Sequence, residues 1–148
     1  MSSWDWKILL RPNVLEVTRT HHIWPKLVGH PDIDHESMLA NKEITITGQL
    51  YQHIETTINL NRKGWSAYKF GVTTDPVNRW ENVGDYKMKF QKMHLLLCTS
   101  SKHESDALEA LLIRIFKAFE NCQNKKPGGE GPRREDPPHF TYVVTVTG

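Results

Sequence analysis

The sequence predicts a small α/β domain: a mixed or antiparallel sheet of about three core strands flanked by helices, with an N-terminal elaboration and a C-terminal edge strand. Three observations predict it. Apolar residues alternate with polar ones around residues 44–54 and again around 65–73. A continuous apolar run follows at Met93–Thr99, and a long stripe at helical spacing runs through Ser101–Asn121. With 38% hydrophobic and 24% charged residues over 148 positions, the chain can bury the core of one domain.

Residues 1–43 fit neither period for long and read as an extension packed on or preceding the core. A short strand is expected near Lys7–Leu10; Trp4, Trp6 and Trp24 are large anchors, and Pro12, Pro25 and Pro31 mark loop. Order is expected to begin at Glu43, opening the domain of residues 44–148. In the first strand, Ile44, Ile46, Leu50 and Ile54 face one way, while Gln49, Tyr51 and His53 face the other. Trp65–Thr73 is the second strand, with Tyr68, Phe70 and Val72 on one face and Ala67, Lys69 and Gly71 on the other. Asp75-Pro76 then supplies an N-cap and a first-turn proline, so a helix starts there. Met93–Thr99 has the continuity of a central strand. Ser101 and Glu104 form a capping box for a helix whose stripe is Leu108, Leu111, Leu112, Ile115, Phe116 and Phe119. Lys125–Pro138 is rich in Pro, Gly and charge and reads as a loop; Thr141–Thr147 alternates again and closes the sheet at an edge.

Net charge is only +2, but it is unevenly spread. Residues 62–92 hold seven Lys/Arg against three Asp/Glu, a local +4 around the second strand and its helix. A phosphate-bearing partner favours such an excess. No apolar run approaches a membrane span, and the N-terminus lacks a basic-then-apolar leader. The sequence therefore reads as intracellular, in the cytoplasm or a eukaryotic nucleus, with no membrane partner and with Cys98 and Cys122 as reduced thiols.

Lys69-Phe70-Gly71 followed at eight residues by Arg79, and then Trp80, places a guanidinium on a short helix beside a strand end. Further on, Ala107-Leu108-Glu109-Ala110-Leu111-Leu112-Ile113 puts Glu109 about 90° from the centre of the helix stripe, at the rim of the buried face. Together these two motifs resemble the GIY-YIG nuclease superfamily, and most closely its viral-type and restriction-enzyme relatives that read Y-K-I-G. The resemblance spans roughly residues 44–130 and implies metal-dependent hydrolysis of DNA phosphodiesters.

Under that resemblance Arg79 is the catalytic arginine and Glu109 the ligand of Mg²⁺ (or Mn²⁺). Lys69 stands where a second signature tyrosine is usual, offsetting phosphate charge or favouring the ionised form of a nearby tyrosine. Tyr51, in Gln49-Leu50-Tyr51, is the candidate first tyrosine, as general base or proton relay. Asn124, with Asn121 as its competitor, is the candidate that steadies the active face and contacts substrate. The alternative is a catalytically inactive nucleic-acid-binding module with the same phosphate groove. A protein-interaction domain built on the N-terminal tryptophans is a third reading, which leaves the +4 region unused. His21, His22, His30, Asp32, Asp34, His35 and Glu36 crowd a short segment, but no spacing among them fits a zinc pattern.

Overall fold

The computed structural model describes residues 26–27, 29–34, 39–41, 48–99, 101–125 and 138–148. The Lys7–Leu10 strand, Trp4, Trp6, Trp24, His21, His22, His35, Glu36 and most of the Lys125–Pro138 loop lie outside the described residues. Elements run in the order β1 (Ile33–Asp34), β2 (Leu39–Asn41), α1 (Gly48–Asn61), a 3-10 turn (Arg62–Gly64), β3 (Trp65–Thr73), α2 (Pro76–Asn82), α3 (Tyr86–Lys89), β4 (Lys92–Thr99), α4 (Lys102–Phe116) and β5 (His139–Thr147). Among the described residues no helix is long and apolar enough to cross a membrane.

The class is α/β, as the periodicities predict, with a mixed sheet flanked by helices. Its order is β1-β4-β5-β3, and β2 joins β1 along the same side of β4. Both short strands run parallel to β4, whereas β5 is antiparallel to β4 and to β3. Two sequence expectations are corrected here. The C-terminal strand is not an edge: β5 lies between β3 and β4. The sheet exceeds three strands because residues before Glu43, in β1 and β2, pair with β4.

A third correction concerns residues 44–54. From Gly48 onward the chain is the helix α1, and residues 44–47 lie outside the described residues. Ile54, Thr57 and Ile58 are buried at helical spacing. The apparent alternation skipped Gly48 and Gln52; the interval from Leu50 to Ile54 to Ile58 is a helix repeat.

The remaining elements follow their local signals. Asp75 caps α2, its carboxylate accepting the Asn78 N–H at 3.1 Å, with Pro76 in the first turn. Ser101 caps α4 by accepting the Glu104 N–H at 3.2 Å. The Glu104 carboxylate completes the box through Thr99, whose hydroxyl donates to it at 3.1 Å and accepts the Ser101 N–H. Helix α4 ends at Phe116 rather than near Asn121. The chain then turns back along β3: Tyr68 N–H donates to the Asn121 carbonyl at 3.0 Å, and Gln123 N–H donates to the Tyr68 carbonyl at 2.7 Å.

Successive strand residues face opposite sides, so β4 and β5 divide their side chains between two cores, while β3 gives its buried aromatics to the first. One contains Tyr68, Phe70, Leu97 and Val143 under Ile54 and Ile58 of α1 and Leu108, Leu112, Ile113 and Phe116 of α4. The other contains Met93, Leu95, Cys98, Phe140, Tyr142 and Val144 under Trp80 of α2 and Tyr86 of α3. The connection from β3 to β4 runs over the second face through α2 and α3. The connection from β4 to β5 runs over the first through α4.

Candidate nucleic-acid interface

Arg79 is fixed by its helix. Its N–H donates to the Asp75 carbonyl, and the Asp75 N–H bonds the Thr73 hydroxyl at 3.1 Å, so strand end and helix start are locked together. From there the guanidinium reaches back over the sheet. Its Nε donates to the Tyr142 hydroxyl at 3.2 Å and its Nη2 to the Tyr86 hydroxyl at 3.1 Å, while Cζ lies 4.4 Å from the Tyr86 ring centroid. The Tyr142 hydroxyl in turn donates to that of Tyr86 at 3.0 Å.

Gly71 makes this arrangement fit. It pairs across the sheet with Tyr142, and a Cβ at position 71 would lie 2.2 Å from the Tyr142 hydroxyl. The tyrosine ring therefore occupies the space where a side chain would stand. At the other side of the guanidinium the turn between α2 and α3 passes close by. Gly84 has φ of +74°, and a Cβ there would sit 3.0 Å from Arg79 Nη1.

Lys69 is opposite Val144, on the same face as Tyr142, with its Nζ 5.9 Å from the Tyr86 ring centroid. Lys69 and Arg79 are both half-buried. Neither has a carboxylate partner among the described residues. Arg79 Nη1 is likewise uncommitted among them, and the Tyr86 hydroxyl, already accepting two bonds, retains its own proton to donate. One ammonium, one guanidinium edge and one phenol thus form a donor-rich group.

The protonation states agree with this. Burial pushes the Tyr142 phenol well above its ordinary value, the neighbouring Tyr86 adds to that, and Arg79 only partly opposes it. Burial also works against the charge on Arg79, but the two tyrosines outweigh it, so the guanidinium is held more firmly than usual. Arg79 therefore carries its charge throughout the physiological range.

The predicted site residues separate into groups. Lys69 and Arg79 come together as expected. Glu109 does not join them: it is buried, 6% exposed, in α4 with Ser105, Leu112 and Ile113, on the Phe70–Val143 face of the sheet. The Ser105 and Thr141 hydroxyls, 2.9 Å apart, fix that face of α4 against β5. Glu109 thus sits within the buried face of its helix rather than at its rim, and the side of the sheet was not legible. Tyr51 lies on the helix α1 rather than on the strand expected over residues 44–54. Asn124 borders β3, where its Oδ1 accepts the Phe70 N–H at 2.8 Å and its Nδ2 donates to the Phe70 carbonyl at 3.0 Å. Both bonds steady β3.

Glu109, the residue the resemblance assigns to a divalent metal, lies on α4, which packs on the opposite face of the sheet from Lys69 and Tyr142. Among the described residues no group of three or more His, Cys, Asp or Glu side chains could hold one. The described members of the acidic and histidine group near the N-terminus make ties: His30 to Glu81 at 2.8 Å, Asp32 to Trp80 Nε1 at 3.2 Å, and Asp34 to His94 at 3.0 Å.

Sequence reasoning missed Tyr86 and Tyr142. For Tyr142 a signal existed, since it stands on the alternating strand with its ring on the opposite face from Thr141 and Val143. Comparison with family models, curated proteins and solved structures gives no match.

Proposed function

We propose that the chain is a nucleic-acid-binding module, with DNA the first candidate, that seats a backbone phosphate between Lys69 and Arg79. One observation carries this reading: two half-buried cations share one face of the sheet with no carboxylate partner among the described residues. A half-buried cation favours a counter-ion, and the oxygens of a phosphodiester can accept from Arg79 and from Lys69. The local +4 of residues 62–92 and the resemblance of the Lys69–Trp80 motif support the same partner.

Fluorescence anisotropy of labelled DNA against salt tests it. Arg79→Lys should weaken binding about tenfold, roughly 1.4 kcal/mol, because an ammonium cannot reproduce the fork held by the two tyrosines. Lys69→Met should flatten the logarithmic salt dependence by about one unit. Binding that ignores salt and both substitutions refutes the proposal.

The nuclease reading keeps one observation in its favour. Tyr142, rather than Tyr51, stands beside the Lys69–Gly71 strand and against Arg79, where the resemblance expects a tyrosine. Its phenol keeps its proton, so near neutrality it acts as a hydrogen-bond donor and not as a base. Incubating the chain with plasmid in Mg²⁺, Mn²⁺ or EDTA separates the readings: metal-dependent cleavage favours hydrolysis, and retention without cleavage favours the module.

A further inference from the structure

We propose that the turn carrying α3 engages bases, with Met88 inserted against an unstacked base of the nucleic acid whose phosphate Lys69 and Arg79 hold. This rests on the binding reading above and extends it from the backbone to the bases. Tyr86, the first residue of α3, is buried at 3% exposure, bonds Arg79 at 3.1 Å and has its ring centroid 5.9 Å from Lys69 Nζ, so the turn is anchored beside the phosphate site. Met88, two residues on, projects away from that anchor, since two helical steps turn a side chain by about 200°.

Met88 is 87% exposed, and Val83 at the other end of the turn is 41% exposed. Two of the four exposed large apolar side chains among the described residues therefore flank the loop that lies against Arg79. A lone exposed methionine is ordinary on a surface. This one stands between Lys87, exposed and paired with Glu81 at 2.7 Å, and Lys89, exposed and with no carboxylate partner among the described residues. Lysines on either side of an apolar tip match a polyanion whose bases lie between its phosphates. Lys89 offers its charge directly and Lys87 can exchange its exposed Glu81 pair, itself worth little, for a phosphate; an apolar protein partner would gain nothing from either. Unbranched and polarizable, methionine can wedge at a base step or cover a base already unstacked.

The test uses the whole chain and a DNA duplex carrying 2-aminopurine, whose fluorescence rises when it unstacks. Protein is added until anisotropy saturates, for the unmodified chain and for Met88→Ser. The substitution is at a fully solvated position and leaves the fold intact, which circular dichroism checks. The unmodified chain should raise the 2-aminopurine signal at saturation, and Met88→Ser should lose that rise while still saturating in anisotropy. An equal rise in both proteins, or no rise with either despite binding, overturns the wedge and leaves the phosphate site standing. Absence of any anisotropy change with the unmodified chain overturns the phosphate site and the wedge with it.

Discussion

The two faces of the sheet are drawn from alternate residues of the same three strands, yet they are built on different chemistry. On the α4 side, Tyr68, Phe70, Leu97 and Val143 meet Leu108, Leu112 and Phe116 in an apolar and aromatic core. The Tyr68 hydroxyl there has no hydrogen-bond partner among the described residues. On the α2–α3 side, Tyr142 is just as deeply buried, but its hydroxyl is bonded to Arg79 and Tyr86. One face spends its polar groups on nothing but its own fold; the other arranges them around a cation. The contrast teaches that position in a strand decides packing, while the helices crossing above decide whether a buried hydroxyl has work to do.

The largest expected break in this contrast comes from Gly71→Ala. The added methyl collides with the Tyr142 hydroxyl and forces the ring off Arg79. We expect a loss of about 1–3 kcal/mol in urea unfolding, the usual cost of overpacking, together with weakened DNA binding. An alanine variant of unchanged stability and affinity would mean that Tyr142 moves freely.

The paired tyrosines sharpen it. Tyr142→Phe removes bonds to Arg79 and Tyr86 and should destabilise the fold by about 1 kcal/mol, whereas Tyr68→Phe removes an unpartnered hydroxyl and should be neutral or stabilising near pH 7. The alkaline limb carries the same sign. Burial pushes the Tyr68 phenol up to about 12, above its unfolded value near 10. Its contribution is therefore complete below about pH 10 and lost as pH rises towards about 12. Tyr68→Phe should flatten that part of the stability–pH profile, and equal alkaline loss in both proteins would contradict the assignment.

The smallest effect is expected from Glu109→Gln. Glu109 lies under α4, across the sheet from Lys69 and Arg79, so the amide should alter DNA affinity by less than about threefold, under 0.7 kcal/mol. If the chain cleaves DNA with metal and this variant abolishes cleavage at unchanged affinity, the division between the faces is functionally false.

Much of the fold was legible where a signal is local. The bounds of β3 come from its alternation and flanking turns, and the starts of α2 and α4 come from Asp75-Pro76 and the Ser101–Glu104 box. The strand expected over residues 44–54 follows from Thr45, Thr47 and the spaced isoleucines, which mimic a strand, whereas the chain is helical from Gly48. The place of β5 in mid-sheet was not legible, since strand order depends on pairing partners far away in sequence. The same holds for the site. Lys69 and Arg79 lie on one short strand-turn-helix unit, so their meeting is local, but the side of the sheet that receives Glu109 depends on how α4 crosses from β4 to β5.

The outer border of β3 has a consequence of its own. The Asn121 and Gln123 backbones take up Tyr68, and the Asn124 amide takes up both backbone groups of Phe70. A second chain approaching that margin in extended form finds those two residues already occupied, so β3 offers no template there for strand addition or fibril growth. The short return after α4 thus guards colloidal behaviour as well as shape.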